Sequence, residues 1–235
     1  MESVAKRKAV IIANGELGAA QAIRACAAEA DLLIAADGGA AHCRTLGLKP
    51  HLIVGDLDSL EPENRAYFEQ AGVCFEVHPV HKDETDLELA VRAAIREGAY
   101  EATLVAALGA RWDQSLANIL LLAHPDFSPL TLRLVEGPDT FCIVRREATV
   151  RGQAGDRLTL LPLSADAAGV TLTGLEYPLD DSVLRFGFTT GVSNRLVRPE
   201  VTITLRQGIL LAIHHQSSPA REHEHAPSPE GGSYA

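Results

Sequence analysis

Residues 51–59 read HLIVGDLDS, and their order decides the fold. Leu52, Ile53 and Val54 form a short apolar run, Gly55 breaks it, and Asp56 and Asp58 follow one residue apart. Alternate side chains of an extended chain point the same way, so both carboxylates project together from the strand's end. Two carboxylates that close repel, and a cation between them keeps both ionised. Asp, Gly and Ser also suit a solvated turn, so the stretch alone leaves both readings open.

Working outward, the pattern repeats. Apolar runs at 8–14 (KAVIIAN), 31–37 (DLLIAAD), 51–56, 73–78 (VCFEVH), 101–108 (EATLVAAL) and 131–137 (TLRLVEG) read as strands. Ala- and Leu-rich stretches at 17–30, 86–98 and 113–124 read as helices between them. Strands alternating with helices imply a Rossmann-like three-layer α/β domain with a mostly parallel sheet. The helix at 86–98 has the clearest signal. Leu87, Ala90, Val91, Ala94 and Ile95 form one apolar stripe, Thr85 and Glu88 make a capping box, and Gly98 ends it.

Beyond residue 147 the rhythm changes. ATVRG, DRLTLLPL, GVTLTGLEY, VLRFGFT, VTITLR and GILLAIH are short, Thr/Val/Leu-rich and separated by Gly or Pro. They predict an all-β sandwich or barrel. The expected organisation is an α/β nucleotide- and metal-binding domain over 1–145, a β domain over 146–214, and a disordered tail over 215–235.

The net charge of −10 argues against a general nucleic-acid binder, though not against an anionic ligand that arrives with a metal. Cys26, Cys43, Cys74 and Cys142 are scattered without a CxxC pair, which fits a reducing compartment. No apolar run reaches membrane-spanning length, and the expectation is a soluble cytoplasmic protein.

In open α/β sheets ligands bind outside the carboxyl ends of the strands. Asn14 and Gly15 follow the first predicted strand, Asp37, Gly38 and Gly39 the second, and Asp56 and Asp58 the third. GARWD (109–113) follows the strand at 101–108, and HKDETD (81–86) leads into the capped helix. The set suits phosphate handling with a hard divalent cation. Asp56, Asp58 and Asp86 offer oxygen ligands, while Lys82 and Arg111 can neutralise phosphate oxygens. Neither GxxxxGK[ST] nor GxGxxG is present, which excludes a P-loop enzyme and an ordinary dinucleotide binder.

Taken in order, ADGGA (36–40), GDLDS (55–59), KDETDLELA (82–90), GARWDQSLANILLL (109–122) and GVSN (191–194) resemble the thiamine pyrophosphokinase family. The resemblance runs from about residue 8 to 213 and implies transfer of the diphosphoryl group of Mg·ATP to the hydroxyl of thiamine. It implies a homodimer whose active site lies between one subunit's nucleotide loops and its partner's β domain. Asp56, Asp58 and Asp86 would hold magnesium. Asn14, Gly15, Asp37, Gly38, Gly39, Lys82, Thr85 and Arg111 would bind ATP, with Asp113 beside them, and Ser193 and Asn194 would contact thiamine. Asp113 or a metal-site aspartate would accept or orient the hydroxyl proton.

Some positions depart from the family pattern. Ala110 and Gln114 stand where Gly and His are common, and Arg195 follows GVSN where Glu is frequent. The only Trp is Trp112, in the nucleotide loop, so a C-terminal stacking Trp is missing. Phe186 and Phe188 read as core residues. A pyrophosphokinase for another hydroxymethyl heterocycle such as a pterin, a nucleotide-sugar transferase, and a non-enzymatic nucleotide or thiamine diphosphate sensor are the alternatives.

Overall fold

The computed structural model describes residues 6–217. Strands β1 (Arg7–Ile12), β2 (Leu32–Ala36), β3 (Leu52–Gly55), β4 (Cys74–Val77), β5 (Ala99–Val105) and β6 (Thr131–Glu136) pair in parallel in the order β4-β3-β2-β1-β5-β6. Parallel neighbours need crossovers, and helices supply them. These are α1 (Ala20–Ala28), α2 (Gly39–Leu46), α3 (Pro62–Gln70), α4 (Asp86–Arg96) and α5 (Trp112–Leu121). One face of the sheet packs against α4, through Leu87, Ala90, Val91 and Ala94, and against Ile119 of α5. The other packs against Ile23 of α1, Cys43 and Leu46 of α2, and Phe68 of α3. The three layers expected from the sequence are therefore present. Because β2 is buried along its whole length, polar groups can surface only at its ends.

The remaining strands are β7 (Asp139–Val144), β8 (Glu147–Arg151), β9 (Arg157–Pro162), β10 (Ala167–Thr173), β11 (Leu179–Leu184), β12 (Asn194–Arg195), β13 (Glu200–Thr204) and β14 (Leu210–His215). A two-residue turn at Gly137-Pro138 brings β7 back antiparallel to β6. β14 then pairs with both β7 and β9, so one ten-stranded sheet, β12-β9-β14-β7-β6-β5-β1-β2-β3-β4, runs through both halves of the chain. A second sheet, β11-β10-β13-β8, covers its far end around a core that includes Leu158, Leu160, Leu172 and Ile203.

Three elements fall outside the segments read from the sequence. α2 begins at Gly39, α3 buries only Asn64 and Phe68, and β7 begins right after the turn. The strand expected at 183–189 ends at Leu184, because the chain turns at Gly187 (φ 81°) and Phe188 N–H bonds Arg185 O. Phe186 and Phe188 are consequently exposed rather than core. Residue 215, where the tail is expected to start, belongs to a strand. His215 closes β14, and Gln216 N–H donates to Pro138 O. Residues 218–235 of that expectation lie outside the described residues. No helix among the described residues is long and apolar enough to cross a membrane.

Candidate active site

The carboxyl ends of β1, β2, β3 and β5 open onto a cleft of about 630 Å³. Asn14, Gly15, Asp37, Asp56, Lys82, Thr85, Asp86 and Arg111 all line it. Close backbone approach shapes its walls. A Cβ on Gly39 would stand 2.1 Å from Ile12 O, and one on Gly38 would stand 2.3 Å from Asn14 Nδ2. Backbone stands in the way at Gly39, which therefore requires glycine, whereas at Gly38 only the Asn14 side-chain amide would have to shift. Gly15 N–H donates to Ala106 O at 2.7 Å and ties the β1 loop to the end of β5.

Strain concentrates here. Five non-glycine residues among those described have left-handed backbone, and three of them, Asp37 (φ 44°), Leu57 (φ 63°) and Ala106 (φ 51°), sit at strand ends around the cleft. A fourth, Ser193 (φ 60°), carries the expected thiamine contact. Left-handed backbone costs each such residue about 1 kcal/mol and persists where the surroundings fix it. Ala110 is not among them, so alanine in place of glycine is tolerated there.

β2 and β3 are sheet neighbours, and Asp37 consequently joins the GDLDS pair. Oxygens of Asp37, Asp56 and Asp58 lie within 4.8 Å of one another. Asp37 is 5% exposed, and its Oδ1 has no hydrogen-bond partner. Burial pushes its carboxyl above the usual range, against the Ser59 hydroxyl and Gly38 N–H, and Asp86 and Asp56 push it further up. Asp56 goes the other way. The Asp58 N–H, 3.2 Å from its Oδ1, lowers it, burial opposes, and Lys82 lowers it again.

Asp86 stands apart from that trio. The Lys82 ammonium lies between it and Asp56, 3.0 Å from Asp86 Oδ1 and 3.1 Å from Asp56 Oδ2. The contact to Asp86 lacks hydrogen-bond geometry, so that buried oxygen has a counter-charge but no hydrogen bond. Burial works against the charged amine, yet Asp86 and Asp56 outweigh it and hold Lys82 above its ordinary value. Thr85 caps α4, its hydroxyl accepting from Glu88 N–H at 3.2 Å. The reciprocal half of the box is absent, since Glu88 instead accepts from Arg92.

Arg111 and Asp113 pair with each other at 2.6 Å on the open side. Asp113 is exposed and does not line the cleft, whereas Gln114 does. Hydrogen bonding to Arg111 lowers the Asp113 carboxyl.

Ser193 and Asn194 lie elsewhere. Asn194 is in β12, the far edge of the long sheet, beside a pocket of about 290 Å³ in the β half. Its amide is already engaged, Nδ2 donating to Tyr177 O at 2.7 Å and Oδ1 accepting from Tyr177 N–H and Arg195 N–H. Ser193 N–H donates to Thr159 Oγ1. Five strand spacings separate β12 from β5, which at about 4.8 Å each is roughly 24 Å.

The thiamin pyrophosphokinase catalytic-domain model matches residues 23–134, and the vitamin B1 binding-domain model of the same enzyme matches residues 143–210. Thiamine pyrophosphokinase of Bacillus subtilis (strain 168) is 29% identical over 187 residues, covering 79% of this chain and 87% of the relative. Thiamine pyrophosphokinase 3 of Oryza sativa subsp. japonica is 31% identical over 183 residues, covering 71% and 68%. This chain belongs to the thiamine pyrophosphokinase family. The crystal structure of the Bacillus subtilis enzyme superimposes with a TM-score of 0.78 at 26% identity, over 90% of this chain and 100% of that one. The Candida albicans enzyme, at 15% identity, shares the fold with a TM-score of 0.77.

Two features had no usable signal in the sequence. By sequence Asp37 reads as a nucleotide-binding residue, and its place among the clustered carboxylates follows from β2–β3 adjacency. Glu136, another buried carboxylate with an unpartnered oxygen, closes the neighbouring pocket because β6 lies beside β5.

Proposed function

We propose that this protein transfers the diphosphoryl group of Mg·ATP to the hydroxyl of thiamine, releasing AMP and thiamine diphosphate. The observation that carries the reading is the carboxylate cluster at the ends of β2 and β3, with a buried oxygen of Asp37 left unpartnered. Oxygen-only donors of this kind suit a hard divalent cation. Asp37, Asp56 and Asp58 would hold magnesium, and Asp86 would join them once Lys82 turns towards phosphate. Bound there, the ion would neutralise phosphate charge and orient the transferred group.

The chain's own groups do the rest. Lys82 and Arg111 offset charge on the phosphate oxygens, and the glycine-walled turns at 14–15 and 38–39 admit the nucleotide closely. Asn14 sits against Gly38 and fixes that wall. The hydroxyl proton goes to a carboxylate of the cluster, since Asp113 faces outward and is held by Arg111. Ser193 and Asn194 orient the thiamine pyrimidine. The match to a B1-binding model over 143–210 supports thiamine over a pterin acceptor, and the transferase and sensor alternatives leave it unused.

The 24 Å gap within one chain supports a homodimer in which each cleft is completed by the partner's β half. Four free cysteines support a reducing, cytoplasmic setting.

The test is AMP release from ATP and Mg²⁺ with and without thiamine, the thiamine product being followed by mass. AMP and thiamine diphosphate should appear together, only with thiamine present, and stop on chelation of the metal. AMP formed without thiamine, or turnover on a pterin alone, would overturn the assignment.

A further inference from the structure

Past the end of β5, four consecutive carbonyls are engaged within the protein. Ala106 O accepts from Gly15 N–H at 2.7 Å, Ala107 O from Asn118 Nδ2 at 2.7 Å, and Leu108 O from Glu16 N–H at 2.8 Å. Gly109 is gripped twice, its N–H donating to the Ser115 hydroxyl and its carbonyl accepting from it, both at 3.0 Å. On the facing loop, Gly15 O lies 2.8 Å from His42 Nε2. A carbonyl can only accept, so that nitrogen carries the proton. By contrast, the N–H groups of Leu108 and Ala110, in the turn that lines the cleft, have no hydrogen-bond partner among the described residues.

Main-chain N–H groups in a concave turn attract phosphate oxygens, and carbonyls in the same place repel them. Which of the two faces the cleft depends on the orientation of a few peptide units. Glycine gives its peptides the widest choice of orientation, so Gly15 and Gly109 need an outside hold. Ser115 supplies one from α5 and His42 the other from α2, two helices on opposite faces of the sheet. Ser115 is 5% exposed and its hydroxyl is taken up by Gly109, while His42 does not line the cleft. Each can act on a ligand only through the loop it holds. Resting on the reading of the cleft as a Mg·ATP site, we propose that Ser115 and His42 are positioning residues that keep the carbonyls of Gly109 and Gly15 turned from the phosphates. The loop N–H groups are thereby left to receive them, fixed before the nucleotide arrives.

A purely structural role would loosen the whole cleft, but the bonding of both residues is local. Among the described residues, the side chain of Ser115 bonds only Gly109 and that of His42 only Gly15. Neither bonds the carboxylate cluster at the ends of β2 and β3, and Asn194 lies at the opposite edge of the sheet. Loss of either clamp therefore weakens phosphate binding and spares the metal and thiamine.

Calorimetry measures the binding of Mg·ATP, and of magnesium tripolyphosphate, which has the phosphates without a base, to wild type, Ser115→Ala, His42→Ala and His42→Gln. Each alanine variant should bind both probes about tenfold more weakly, the effect of one lost hydrogen bond. Glutamine can present an N–H to Gly15 O, so His42→Gln should recover most of the loss. The KM for thiamine and the Mg²⁺-dependent gain in urea resistance should stay at wild-type levels in all three. His42 is only half-buried, so its variants keep the test open should Ser115→Ala fail to fold. Unchanged affinity in either alanine variant that folds, weaker ATP with unchanged tripolyphosphate, no recovery in His42→Gln, a raised thiamine KM, or a parallel loss of the Mg²⁺ effect would each overturn the proposal. Wild type that binds both probes, with variants weakened as expected but no thiamine-dependent AMP release, would instead leave the clamps standing and defeat the assigned reaction.

Discussion

Asp37 shows how a single residue trades stability for a site. Its carboxyl is buried at a left-handed position and held above its ordinary value by desolvation. The folded state therefore keeps the proton to higher pH than the unfolded state, and stability falls as pH rises from the usual carboxylate range through the raised value. Asp56, lowered by the Asp58 N–H and Lys82, has the opposite sign: its contribution is present at neutral pH and is lost as pH falls through its lowered value. Asp37→Asn should stabilise the metal-free protein at neutral pH by about 1 kcal/mol, because asparagine tolerates this backbone and leaves no buried charge. It should also abolish stabilisation by Mg²⁺. Urea unfolding with and without the ion measures both, and a variant that Mg²⁺ still stabilises fully would remove Asp37 from the metal set. The sequence made Asp56 and Asp58 legible through their i,i+2 spacing after an apolar run. It could not place Asp37 beside them, because strand order is a tertiary fact, nor could it show Asp113 paired outward with Arg111.

Among the elements, α4 is the one whose sequence and structure agree most closely, since cap, apolar stripe and terminal Gly98 all act locally. Thr85→Ala removes the bond to Glu88 N–H and should cost about 1 kcal/mol in chemical unfolding. A cost near zero would mean that packing of Leu87, Ala90 and Val91 alone sets the start of the helix. α3 and β11 were less legible for the opposite reason. Polar residues make up most of α3 and half of β11, and each element is held by what it packs against or pairs with. The link between β9 and β14 was not legible at all. Buried Asp156, just before β9, accepts from Gln153 N–H and Ser217 N–H and lies 3.0 Å from His214 Nε2. Burial opposes its charge, but these partners outweigh it and hold the carboxyl low. Its contribution is therefore present above the unfolded-state value and lost as pH falls through the lowered one. Asp156→Ala should cost about 3 kcal/mol at neutral pH, and the difference from wild type should shrink in acid. A pH-independent difference would assign the cost to packing alone.

At the scale of the whole molecule, the change of rhythm near residue 147 marks the β half, yet no residue pattern signals that one sheet runs through both. That continuity has a functional consequence. β14 and β9 sit rigidly between the two candidate half-sites, so hinge closure within one chain cannot bring Asn194 to the cleft without tearing the sheet. Two chains can do it by symmetry. Asp58→Ala disables only the cleft, since Asp58 is exposed and its loss leaves the core intact. Asn194→Ala disables only the β half. Each variant alone should be inactive. After the two are mixed and allowed to exchange subunits, half of the dimers should be mixed, each with one intact site and one doubly impaired site. Activity should then return to about a quarter of wild type. The measurement is thiamine-dependent AMP release before and after exchange, with dimer exchange followed independently by mass. Exchange without recovery would place cleft and β half of a working site in the same chain, and would require the long sheet to bend far more than its continuous hydrogen bonding allows.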